Sequence, residues 1–188
     1  ALGGMVFNMA YWLFGFLRMG TSGLTAQAHG TGNRTQALHV LYRSLIVAWG
    51  VALLLIAAQR PIFDAAFNFV TATHEVEQLT ATYYRILIWG APAVLGLYSF
   101  AGWFLGMQNA KAPMVIAIGQ NIINIVASTV LVFGFAQGMA GVATGTLLAQ
   151  YAGLFAAIII WQKQYGKHQA SAIKWREVCN VTQLKRFF

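Results

Sequence analysis

Amide and hydroxyl side chains recur inside an otherwise apolar stretch. Gln120, Asn121, Asn124, Ser128 and Thr129 lie in one run, and Thr144 and Thr146 in the next. On a helix, positions 121, 124 and 128 follow the i, i+3, i+7 spacing and share one side. Amides and hydroxyls donate and accept hydrogen bonds, so they suit neutral or cationic solutes, ions and water. The plainer alternative is hydrogen bonding between helices that only stabilises a bundle, at roughly 1 kcal/mol or less per bond. Two asparagines three apart on one face tip the balance towards a pocket. Gly141, Gly145, Ala149 and Gly153 follow four apart. Small residues at that spacing let helices approach closely.

Arg18 is the basic residue expected near mid-membrane. It is expensive there and must face protein or water. A structural role, with its guanidinium on backbone carbonyls, is favoured over a transport role, because arginine stays charged and cannot relay protons. Pro92 removes a backbone hydrogen bond and frees a carbonyl near Ile88, so a kink is expected. No nucleotide loop, paired carboxylates, zinc motif or catalytic triad can be assembled. Cys179 is alone, so no intramolecular disulfide forms. His29 and His39 read as interfacial residues, since no acidic or Cys partners for a metal lie nearby. An enzyme is not expected, and no cofactor is implied.

The elements that must position these residues are membrane spans. The chain is 59% hydrophobic and 9% charged, whereas soluble domains carry about 25% charged residues. The fold class is therefore all-α, a polytopic transmembrane helix bundle. Five spans are predicted, near residues 4–28, 42–58, 82–105, 114–133 and 139–161. They make residues 1–162 a transmembrane unit and leave 163–188 as a basic cytoplasmic linker. The net charge of +8 could mean nucleic acid. The basic residues instead sit in short segments between apolar runs and in the tail, as membrane orientation requires.

Local signals refine the spans. Ser22, Ala26 and Gly30 permit close contact on the first. Arg43 snorkels from the second. Pro61 stops that helix and pushes Arg60 away from α geometry. Residues 62–70 are short and broken by Asp64 and Asn68, so they read as interfacial. Thr73 caps the next helix, with Glu75 and Glu77 in its first turn. Trp161, Tyr165 and Trp175 suit an interfacial aromatic belt. None of the four acids, Asp64, Glu75, Glu77 and Glu177, lies in a predicted span. Arg34 with Arg43, Lys111 and the tail alternate with less basic segments, which puts Ala1 outside and Phe188 in the cytoplasm. Ala1 is no initiator Met, so a longer polypeptide with at least one further upstream span is expected.

Residues 16–27 (FLRMGTSGLTAQ) resemble the second helix of the MATE (multidrug and toxic compound extrusion) family, in its DinF-like branch. Residues 106–114 (GMQNAKAPM) resemble that family's loop between helices four and five. Residues 121–126 (NIINIV) and 138–143 (GMAGVA) resemble its helices five and six. The resemblance implies twelve helices in two lobes, of which this chain would hold most of the N-lobe, helices two to six. It implies export of drugs or metabolites, in exchange for protons or sodium, by alternating access. The partners implied are a cationic or amphipathic small molecule, the bilayer, helix one and the C-lobe, without nucleic acid.

The family's N-lobe pocket uses an acid on helix one, an Asn and an acid four apart on helix five, and a Thr on helix six. Asn124 matches the Asn and Thr146 the Thr, while Ser128 stands where the second acid is often found. A hydroxyl does not titrate near neutral pH, so coupling would rest on helix one or the other lobe. Tyr83 is a further carry-over, and Asn121 would extend the pocket towards the cytoplasm. Arg18, Pro92, Gly141 and Gly145 would be structural. A lipid-linked sugar flippase is the runner-up, but it would place more basic residues in its cavity than Arg18. A purely structural membrane subunit is the third reading.

Overall fold

Apolar runs closed by Gly, Asn and Pro fold here into helices throughout the described residues, 15–68 and 74–166 of the computed structural model. In chain order they are α1 (Gly15–Gly30), α2 (Arg34–Ala57), α3 (Gln59–Asn68), α4 (His74–Leu87), α5 (Ala91–Gly106), α6 (Lys111–Thr129) and α7 (Gly138–Tyr165). Among the described residues four stretches are long and apolar enough to cross a membrane: Arg34–Ala57, Gln78–Gly106, Lys111–Gly134 and Gly138–Tyr165. Residues 4–14 of the first expected span, Thr73, and the tail with Trp175 and Cys179 lie outside the described residues. So do the side chains of Asp64, Asn68, Glu75 and Glu77.

Turn chemistry sets where the chain reverses. Gly32 takes φ +71, which glycine adopts without steric cost. Asn33 then caps α2 by accepting from the Gln36 backbone N–H at 3.0 Å. Asn109, in the turn before α6, accepts from the Ala112 N–H and donates to Gln164 at 2.8 Å and Tyr165 at 3.2 Å. His29, Arg34, Met107 and Tyr165 surround one cavity. The α1–α2 turn, the α5–α6 turn and the end of α7 therefore share one end of the bundle.

α5 is the hub, packing on α1, α2, α6 and α7. Trp103 and Phe104 anchor one core with Leu41 and Ala157. Leu95 anchors the other with Leu17, Ala48 and Ala143. Trp103 also donates its indole N–H to the Ala37 carbonyl at 2.8 Å, satisfying a buried donor. The α1–α5 contact is very close. A Cβ at Gly106 would lie 2.5 Å from the Thr25 Cβ and 2.7 Å from the Ser22 carbonyl oxygen. The expected Ser22, Ala26, Gly30 stripe is not what makes this contact, for Ala26 and Gly30 are exposed. The glycines lie on α5 instead, and α1 presents Thr21 and Thr25 to them.

Three further expectations need correction. Arg60 is helical, because α2 breaks at Ala58 and α3 restarts at Gln59. Pro61 then sits in a first turn, where a missing N–H costs nothing. His39 and Arg43 are buried, at 5% and 6% exposure, so Arg43 packs inside the bundle and does not snorkel along lipid. Trp161 is likewise buried, edge-on to Tyr42 and Phe100. The kink falls where Pro92 predicts. Ile88–Gly90 forms a 3₁₀ turn between α4 and α5, and the Tyr151 hydroxyl donates to the Trp89 carbonyl at 2.8 Å.

Candidate functional site

α6 and α7 form a hairpin, and the small-residue face of α7 decides how closely they meet. A Cβ at Gly145 would strike Ser128, 2.7 Å from its backbone nitrogen. A Cβ at Gly141 would lie 3.1 Å from the Leu131 carbonyl carbon. At Gly153 it would lie 3.1 Å from the Gln120 Oε1. At Gly145 any larger residue would force the helices apart. The hairpin turns through the π-helical turn Val130–Gly134, then Ala136 at φ +52 and Gly138 at φ +52.

That closeness brings polar groups from both helices together. The Ser128 hydroxyl donates to the Asn124 Oδ1 at 3.1 Å. The Thr146 hydroxyl reaches the same Oδ1 at 3.2 Å and its own helix carbonyl at Val142 at 2.9 Å. One hydroxyl proton cannot fully serve both, so Thr146 is shared between them. Tyr83, from α4, lies beside Thr146 at the edge of this cluster. All four are only part-buried. Asn124 is thus held by its oxygen, while among the described residues its amide N–H groups donate to nothing. The cluster keeps donors to offer a solute.

The other polar residues are placed differently. Asn121 is exposed and donates back to the Ala117 carbonyl at 2.9 Å, outside the cluster. Thr144 donates to the Ala140 carbonyl at 2.8 Å. Gln120 lines a separate cavity of about 420 Å³ between α1, α5 and α6, with Arg18 and Tyr98. Arg18 does not hold helices together as expected. It is exposed, and among the described residues its guanidinium makes no hydrogen bond. Its charge lies near Tyr98 of α5, across the same cavity.

A set the sequence reading missed lies between α1, α2 and α5. Thr21 and Ser44 hydroxyls are 2.6 Å apart, and Ser44 donates to Ser99 at 2.7 Å. Ser99 donates in turn to the Leu95 carbonyl at 3.3 Å. Single serines on apolar helices carry little signal, since either face could be inside.

The family model described as MatE matches residues 1–130. The chain belongs to the MatE family. It is 34% identical over 163 residues to "DNA damage-inducible protein F" of Escherichia coli (strain K12), covering 87% of this chain and 36% of that protein. It is 27% identical over 166 residues to "Uncharacterized transporter YisQ" of Bacillus subtilis (strain 168), covering 85% of this chain and 36% of that one. The chain therefore spans about a third of the length of these relatives. Its fold matches an outward-facing multidrug resistance MATE family transporter with a TM-score of 0.82 at 23% identity, over 100% of this chain and 42% of that one. An inward-facing MATE family transporter matches with 0.81 at 21%, over 99% and 41%. As a MatE member it is a multi-pass membrane protein, in keeping with the four long apolar helical stretches among its described residues.

Proposed function

We propose that this chain is most of the N-lobe of a proton- or sodium-coupled antiporter that exports drugs or toxic metabolites by alternating access. The observation that carries the site is the Asn124 oxygen gathering Ser128 and Thr146 from two helices while its amide stays available. Asn124, Ser128, Thr146 and Tyr83 line the pocket, and Asn121, which spacing would make its extension towards the cytoplasm, lies outside the polar cluster on the exposed face of α6. Pro92, Gly141 and Gly145 serve the packing of the helices that carry the pocket. The substrate is a cationic or amphipathic small molecule. Helix one and the C-lobe, from the rest of the polypeptide, complete the site, and Phe188 lies in the cytoplasm with Ala1 outside.

The mechanism follows from what the lobe contains. None of the four pocket residues is an acid or base near neutral pH, so the pocket binds and another part of the protein couples. Near-equal fits to inward- and outward-facing structures, 0.81 and 0.82, support a lobe that rocks as a unit. A bound solute or ion drives that motion only through different affinity for the two states. The test is gradient-driven export of a cationic dye by the full-length protein in vesicles. Dissipating the proton or sodium gradient should stop export. Asn124→Ala and Thr146→Ala should each lower it; unchanged export and expression in both would sink the pocket.

A further inference from the structure

Arg18 is a fixed positive charge that the pocket around Asn124 does not use. It lies twelve positions before Gly30 at the end of α1, about 18 Å of helix into the bundle from that end. It is exposed towards the cavity of about 420 Å³ between α1, α5 and α6, a size that suits a drug-sized ligand. A guanidinium at that depth is costly without an anionic or hydrogen-bonding partner. Among the described residues it has no hydrogen bond, and none of the sequence's acids, Asp64, Glu75, Glu77 and Glu177, is on α1, α5 or α6. The cavity walls beside it are largely apolar, with Leu97, Phe100, Met114 and Ile116, and Gln120 is the polar residue facing it from α6. One turn further along α6, Asn124 also offers donors.

We infer that the Arg18 cavity binds a single oxyanion carried on an apolar body. The carboxylate, sulfonate or phosphodiester sits on the Arg18 fork, Gln120 donates its amide, and the apolar body lies along α5 and α6. A planar guanidinium with five donors recognises such groups in bidentate fashion. One guanidinium balances one charge, so a monoanion fits and a pyrophosphate does not. The inference rests on the transport reading and narrows it: of cationic and amphipathic substrates, this cavity selects the anionic amphipath. The same chemistry could come from a soluble solute or from the phosphodiester of an anionic lipid.

The experiment uses the full-length protein in phosphatidylcholine nanodiscs, titrated with 8-anilinonaphthalene-1-sulfonate and with ethidium. Wild type should bind the sulfonate more tightly than the cation. Arg18→Gln should weaken the sulfonate roughly tenfold or more, the loss expected for a charge-assisted hydrogen bond. It should also move the ratio of affinities towards ethidium, whereas Arg18→Lys should restore most of the sulfonate binding. Lipids retained by protein from phosphatidylglycerol-containing membranes separate the two sources. Phosphatidylglycerol lost on Arg18→Gln assigns the anion to lipid, and sulfonate binding without retained phosphatidylglycerol assigns it to a solute. Equal sulfonate binding with and without Arg18, and no Arg18-dependent lipid, overturns the inference. If Arg18→Gln does not fold, the wild-type order decides, and tighter ethidium overturns it. Gradient-driven ethidium export by wild type that fails to bind the sulfonate would reject this inference and leave the transport reading standing. Sulfonate binding through Arg18 without gradient-driven export of either dye would reject the transport reading instead.

Discussion

Thr21, Ser44 and Ser99 on α1, α2 and α5 use the same groups as Ser128 and Thr146 on α6 and α7, to different ends. The first three are 0% exposed, and their hydrogen bonds run hydroxyl to hydroxyl and finish on a helix carbonyl. Nothing in that chain remains to offer a ligand. The second set gathers on one amide oxygen, is only part-buried, and leaves the Asn124 N–H groups unspent. The helices that carry them differ in the same sense. Inside the lobe, 61% of the apolar stretch of Gln78–Gly106 is buried, against 6% for Lys111–Gly134. A hydroxyl in a membrane helix is therefore glue or site according to its surroundings. The distinction lies in unspent hydrogen-bonding capacity within reach of a solute.

Overfilling a glycine on each side should give the largest effect. Gly106→Leu should abolish the folded lobe, because even a Cβ there meets Thr25 at 2.5 Å and overpacking a tight contact costs about 1–3 kcal/mol or more. Gly119→Leu on α6, with nothing within 4 Å of its Cβ position, should fold normally. Size-exclusion profiles of the full-length protein in detergent read both. Equal behaviour of the two would mean that α1 and α5 do not meet as described.

The next two effects are smaller and opposite in kind. Ser44→Ala should lower stability by about 1–3 kcal/mol, since it removes two buried hydrogen bonds, those with Thr21 and Ser99. Export per folded molecule should not change. Asn124→Ala should cut export roughly tenfold, the equivalent of one or two lost hydrogen bonds. Its effect on stability should stay within about 1 kcal/mol, as expected of a part-buried polar pair in a membrane bundle. Thermal unfolding followed by tryptophan fluorescence, alongside dye export, separates the outcomes. A stability loss at Asn124 matching that at Ser44 would make both sets glue.

The sequence carried the bundle more openly than it carried the interior. Apolar runs punctuated by Gly32, Asn33, Pro113 and Gly138 are legible because membrane spans must be long and apolar and turns need particular backbone conformations. The Pro92 break is legible because a missing N–H acts locally. Facing is what failed. Arg43, His39 and Trp161 look interfacial by type, yet tertiary packing buries them. Ser22, Ala26 and Gly30 have the spacing of a contact stripe, but the close approach uses glycines on the partner helix, which α1 alone cannot reveal. Within the site, the Asn124, Ser128 and Thr146 grouping followed from spacing and resemblance. Which of their atoms stay unspent depends on the α6–α7 approach at Gly145, a three-dimensional fact.

Asn121 gives the finest test, because the same residue type sits one turn from Asn124 on the same helix. Spacing alone assigns both to one pocket. In the fold, Asn121 is exposed and spends its amide on the Ala117 carbonyl at 2.9 Å. Asn124 is drawn inward by two hydroxyls. Asn121→Ala removes only a bond that water can replace, so export should change by no more than about twofold, well under the effect of losing a buried hydrogen bond. If Asn121→Ala instead cuts export as deeply as Asn124→Ala, the solute reaches along the exposed face of α6. The polar cluster would then be one end of a longer path and not a closed pocket. Measuring both variants with the same dye at the same expression level makes that choice directly.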